Sequence, residues 1–254
     1  MRAEMAGGRK EVLDWLINQN DRGERLIAGF DFAFAYPYCD KQAYFPGHDR
    51  TPVNVEALWG LIDSVCQDAE GFYGGPFYLT QDAPFADYLL YMNYKGKKYQ
   101  PRMRIADDLC AKMAGNPAPV FKCVGPESVG IGSVAGMRFL HEVSTKLNKD
   151  FSIWPFHREN QGRSVIVEIF PRFFYILAGA NPRAWRNRSE VNNALRHFDS
   201  GDLPSDLEIE SEDQMDAIIS AAAIRHLASK AKTWQPAGLN KCARAHEGWI
   251  FGLV

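Results

Sequence analysis

The sequence predicts an α/β fold, and two apolar runs with helical patterns around them carry that expectation. Leu26-Ile27-Ala28-Gly29-Phe30-Asp31-Phe32 is a short apolar run interrupted by an acid, the pattern of a buried strand. Ser164-Val165-Ile166-Val167-Glu168-Ile169-Phe170-Pro171 is β-branched and apolar, and proline stops it. Helical spacing precedes the first run: residues 9–20 repeat Val12, Leu13, Leu16 and Ile17, and Asp21-Arg22-Gly23 ends them. A helix feeding a strand that ends in an acid suits an α/β sheet, where ligands sit beyond the strand ends.

Residues 40–120 read as an insertion or cap within a single domain spanning 1–254. Val55, Leu58, Leu61, Ile62 and Val65 predict a helix over 54–67. Aromatics are dense, among them Tyr44, Phe45, Trp59, Phe72, Tyr73, Phe77, Phe85, Tyr88, Tyr94 and Tyr99. They either fill a subsidiary core or stack bases beside the basic strip formed by Lys95, Lys97, Lys98, Arg102 and Arg104.

Of the 254 residues 46% are hydrophobic and 24% charged, enough for one large core. Lys+Arg is 29 and Asp+Glu 31, a formal net charge of −2. No global basic field draws nucleic acid, which argues against a dedicated binding module but not against a nuclease with a local basic surface. The five cysteines are odd in number and form no C-x-x-C pair. Neither a thiol–metal site nor a disulfide framework is expected, and a reducing, cytoplasmic location is. MRAEMAGGRKEVLDWL lacks the apolar centre of a signal peptide, and no apolar run reaches membrane-spanning length, so no membrane partner is expected.

Gly125 to Gly136 is rich in glycine and serine ahead of a helix, MRFLHEVSTKL. Ser128, Gly130, Gly132 and Ser133 are weak candidates for contacting a phosphate through backbone N–H groups. The stretch is neither a Walker A loop nor a dinucleotide fingerprint, and a plain turn fits as well. Ile153-Trp154-Pro155-Phe156 predicts a short strand end, and 181–205 a polar surface helix and loop. Ser211 caps an apolar helix whose start carries Asp213 and Asp216 on one face. His246 to Gly252 reads as a closing strand.

Glu168 interrupts a buried strand, where a carboxylate needs either an arginine, such as Arg172 or Arg163, or a metal ion. With Asp31 at a strand end and Asp213 and Asp216 at a helix start, the acids form a candidate cation site. Hard divalent ions, magnesium or manganese, prefer such oxygens and support phosphodiester cleavage. No zinc-like His/Cys set competes, and the serines sit in no nucleophile elbow. His141, His197 and His226 read as surface or packing residues.

GFDFAFAYP, VGPESVGIGSVAGMRFL, IWPF, VIVEIFPRFFY, DQMDAIISAAA and EGWIFG, in this order across about residues 10–254, resemble the domain-of-unknown-function 429 family. Those proteins are predicted nucleases with an RNase H-like fold, and the DxxDA helix start also resembles the last helix of RuvC-type resolvases. The resemblance implies an RNase H-like mixed sheet flanked by helices. Asp31 would follow its fourth strand, Glu168 would lie on a central strand, and Asp213 and Asp216 would open the final helix. The first three strands and their Asp are then expected to be missing, either lost or encoded upstream. That would leave the chain short of a metal ligand, with an active and an inactive form both open, and with an open sheet edge. The expected function is a metal-dependent phosphodiesterase or nuclease acting on nucleic acid or a phosphoester, with Asp31, Glu168, Asp213 and Asp216 as catalytic and metal-binding residues. An ATP-using phosphotransferase and a non-catalytic partner protein are the alternatives.

Overall fold

The computed structural model describes residues 7–79, 82–114, 117–125, 128–157 and 163–254. The chain runs from α1 (Arg9–Asp21) into β1 (Ile27–Phe30), then through α2 (Val55–Val65) and the one-turn α3 (Gly75–Tyr78). A short ribbon of β2 (Leu90–Tyr91) and β3 (Tyr94–Lys95) follows, then α4 (Ile105–Ala114) and α5 (Gly130–Lys146). β4 (Phe151–Ile153) and β5 (Ser164–Glu168) lead to α6 (Pro171–Leu177), α7 (Arg188–His197), α8 (Glu212–Ala228) and α9 (Ala231–Trp234). A π-helical turn, Ala243–Glu247, comes last.

The main sheet has the order β1-β5-β4 and is parallel throughout. Ala28 lies opposite Ile166 and Phe30 opposite Glu168. This corrects the expectation of a mixed sheet: the antiparallel pair, β2–β3, forms a separate ribbon. The shown class is α/β, and among the described residues no strand precedes β1.

Side chains alternate across the sheet and feed two cores. Ala28, Phe30, Ile153 and Ile166 join one with Leu58, Trp59 and Ile62 of α2 and Val134, Met137 and Leu140 of α5. Val165, Val167 and Ile169 join the other with Phe173 and Phe174 of α6 and Met215, Ile218 and Ile219 of α8. A strand buried on both faces shows no polar alternation, which is why β5 reads as a continuous apolar run.

Tyr44, Phe45, Trp59, Phe77 and Phe85 are fully buried and share the first core with α5 and β4. Residues 40–120 thus contribute directly to one of the two main cores. Tyr36 and Phe121 stack with centroids 4.4 Å apart. Of the aromatics singled out for base stacking, only Tyr73 is exposed. The others are buried or partly buried, which favours packing over base stacking, and the core that most of them fill is a main one and not a subsidiary one.

Two further expectations change. Cys39 and Cys242, 203 residues apart in sequence, form a disulfide, while Cys66, Cys110 and Cys123 are free and buried. An odd count hides such a pair, because only the tertiary fold brings the two thiols together. His246 to Gly252 is no strand: His246 and Glu247 belong to the π-helical turn, and Ile250 makes one isolated bridge to Glu168. Among the described residues no helix is long and apolar enough to cross a membrane.

Candidate functional site

Asp31 stands one residue past β1, in a turn pinned from two sides. The Ala33 N–H donates to Ser133 Oγ in the first turn of α5 at 3.0 Å. The Phe34 N–H donates to Glu168 Oε2 at the end of β5, also at 3.0 Å. Asp31 therefore sits where two strand ends and a helix start meet, in a cavity of about 360 Å³ that Ser128, Val129, Glu168, Arg172 and Glu212 also line.

Asp31 is exposed at the mouth of this cavity, while its carboxyl lies among closely packed neighbours. Desolvation by that surround raises its carboxyl, and the charges of Asp216, Glu168 and Asp213 raise it further, to about 7 from an ordinary 3.8. Asp216, half-buried in the first turns of α8, is raised to about 6. Burial is the main cause there; the Tyr175 hydroxyl holds the group back, while Glu212 and Asp213 push it up. Tyr175 Oη is buried and closes no hydrogen bond among the described residues, so it acts on Asp216 as a nearby dipole, short of a bond of normal geometry. Asp213 is exposed on the same helix start.

Glu168 is placed differently from a free metal ligand. Arg104 Nη2 donates to its Oε1 at 2.6 Å and Nη1 to its Oε2 at 2.8 Å. The same guanidinium grips Asp107, with Nε on Oδ2 at 2.9 Å and Nη2 on Oδ1 at 2.7 Å. All three side chains are only 2–3% exposed. Burial raises the Glu168 carboxyl and Arg104 opposes that rise, while the two acids raise Arg104 well above its usual value. The charged pair is the form that two short, parallel N–H donors hold. Asp107 also accepts the Arg104 N–H at 3.1 Å, closing the start of α4 in the manner of a capping box.

The glycine- and serine-rich stretch departs from its expected role; its Pro126 and Glu127 lie outside the described residues. Gly130, Gly132 and Ser133 are helical, inside α5. Ser133 Oγ is engaged by Ala33, and Ser128 Oγ donates to the Lys122 carbonyl. Gly130 and Gly136 serve close packing: an added Cβ would meet the Val120 carbonyl oxygen at 2.6 Å and the Phe32 ring at 2.3 Å. Of the four candidate phosphate contacts, only Ser128 lines the Asp31 cavity.

The fold thus gathers Asp31 and Glu168 in one cavity and brings the fields of Asp213 and Asp216 onto Asp31. Among the described residues no three Asp, Glu, His or Cys side chains are arranged to hold a metal by themselves. Sequence reasoning placed Arg104 in a basic strip and not beside Glu168, and it passed over Asp107 and Tyr175. The Arg104…Asp107 spacing of three was the available signal, since it puts the pair on one helix face. Arg172, weighed above as the partner of Glu168, instead lines the cavity wall and makes no ion pair among the described residues. No family model, no curated protein and no solved structure matches the chain.

Proposed function

We propose that this protein is a magnesium- or manganese-dependent phosphodiesterase, with Asp31 and Asp216 as the cation-holding pair. The observation that carries this reading is the place of Asp31 just past β1, in a cavity that Glu168 and Glu212 also line, where the charges of Asp216, Glu168 and Asp213 add to burial in raising its carboxyl. Ionised together, these groups repel one another, and a divalent cation relieves that repulsion. Two carboxylates fit magnesium well, because it keeps several waters and takes its remaining ligands from substrate phosphate oxygens. When bound, such an ion would polarise a phosphoryl oxygen and lower the pKa of an attacking water.

The chain's own residues take the remaining roles. Asp213 and Glu212 strengthen the negative field at the mouth. Arg172, exposed on the cavity wall, neutralises a substrate phosphate. Glu168 acts as a positioning residue: it holds the Phe34 N–H and so fixes the turn that carries Asp31. The resemblance to predicted nucleases of RNase H-like fold supports a nucleic-acid or other phosphoester substrate.

The test is a magnesium and manganese titration with cleavage assays on single-stranded, duplex and branched DNA and RNA and on a small phosphodiester. It is run with and without reductant, since a cytoplasmic location would remove the disulfide. Metal-dependent cleavage that Asp31→Asn and Asp216→Asn each abolish supports the proposal. Absent cleavage, or full activity in both variants, refutes it. A non-catalytic partner protein is the competing reading; it draws on the neutralisation of Glu168 by Arg104 and expects both aspartate variants to bind their partner normally.

A further inference from the structure

A second cavity, of about 430 Å³, shares no lining residue with the Asp31 cavity. Lys41, Lys97, Lys98 and Arg102 line it, with Tyr88 and Gln100, and no acidic side chain does. In a chain of net charge −2 this is a local concentration of positive charge. Arg102 is already committed: it takes Asp40 through two donors at 2.6 and 2.9 Å and also donates to the carbonyls of Pro37, Ala43 and Tyr44. Its charge is thus offset by Asp40, and the lysines are left.

Lys98 is held in place. Its Nζ donates to the Gly47 carbonyl at 3.2 Å and to Tyr88 Oη at 3.3 Å, and lies 5.3 Å from the centre of the Tyr88 ring. An ammonium has three donors, so one remains for a ligand. The loop carrying Lys97 and Lys98 is fixed as well, with Gly96 N–H on the Leu89 carbonyl at 2.9 Å and Lys98 N–H on the Asp87 carbonyl at 2.8 Å. Lys41 and Lys97 are exposed and make no ion pair among the described residues. Tyr88 is buried, so its ring face is not offered to a base.

We propose that this lysine-lined cleft binds phosphate anions, taking a diphosphate or phosphate-ester group against Lys98 with Lys41 and Lys97 closing over it. An ammonium held by two acceptors and flanked by two exposed ones, with no carboxylate lining the cleft, suits a compact multiply charged anion. Carboxylate ligands would leave part of that charge unmatched. The site is independent of the Asp31 cavity and of any activity there.

The test is calorimetric titration of the full chain with inorganic pyrophosphate, with a single-stranded oligonucleotide, and with sulfate as the reference anion. The main variant is Lys41→Gln/Lys97→Gln, whose side chains support no described contact; Lys98→Met is a second variant, with thermal melts to confirm that both fold. Pyrophosphate binding at least tenfold tighter than sulfate, weakened tenfold or more in the double variant, supports the proposal. If the oligonucleotide loses affinity in parallel, the natural phosphate belongs to a nucleic-acid chain; if only pyrophosphate binds, it belongs to a small molecule. Pyrophosphate binding no tighter than sulfate, or unchanged in the double variant, overturns it.

Discussion

Arg104 and Glu168, 64 residues apart, meet through both arms of the guanidinium at 2.6 and 2.8 Å, with side chains only 2% and 3% exposed. The same guanidinium also holds Asp107, so one cation serves two buried carboxylates. Arg104→Met leaves both acids unpaired in the interior, a loss of about 3–5 kcal/mol in urea unfolding. Arg104→Lys restores the charge but not the fork, and is expected to recover only a minor part of it. A full recovery with lysine would mean that charge alone is what the site needs.

The Asp31 carboxyl sets a pH dependence whose sign is opposite to that of a salt-bridged acid. Its folded-state value is raised from 3.8 to about 7, so between these the folded state holds a proton that the unfolded chain has lost. Stability from this group is full below pH 4 and declines as pH rises through 7. Asp31→Asn removes the effect: its melting temperature should exceed that of the parent at pH 8 and converge with it at pH 4. Magnesium should raise the parent's melting temperature at pH 8 and leave that of the variant unchanged.

The disulfide can be tested by chemistry and by melting. A thiol reagent should find no accessible cysteine in the folded protein and three after unfolding without reductant. Reductant should raise the unfolded count to all five. Cys242→Ser should cost about 2–5 kcal/mol, because the bond closes a very long loop in the unfolded chain. Equal stability with and without reductant would show that the link contributes nothing.

Glu247 is buried and accepts three backbone N–H groups, from Tyr38 and Cys39 at 2.7 Å and from Ile105 at 2.8 Å. One oxygen takes two donors and the other takes one. Glu247→Gln turns one acceptor into a donor facing another donor, and is expected to cost about 1–3 kcal/mol. Hydrogen exchange should speed up at all three N–H groups together, although Ile105 lies far along the chain from Tyr38 and Cys39.

The sequence made much of the scaffold legible. Val55–Val65 and Arg9–Asp21 form where apolar residues repeat at helical spacing, and Ser211 caps α8 through the Gln214 N–H at 3.1 Å as its position suggests. The acids at Asp31 and Asp216 were visible as oddities beside apolar runs. Pro171 both ends the apolar run and opens α6, because its fixed φ suits the first helical turn. Gly130 to Gly136 looked like a loop because glycine and serine favour helices little. Packing against Phe32 and the Val120 carbonyl outweighs that preference. What no local pattern reveals is which arginine finds Glu168, or that Cys39 finds Cys242. Both depend on contacts across more than sixty residues.

The central strand carries apolar side chains to both faces, and this leaves its alignment underdetermined by greasiness alone. A slip of one residue would exchange Ile166 and Val167 between two interiors that would each accept either. Glu168 breaks the tie: displaced by one position it would lose Arg104 and the Phe34 N–H together. The buried charge therefore works as a registration pin, selecting one threading of the strand from its near-equivalents.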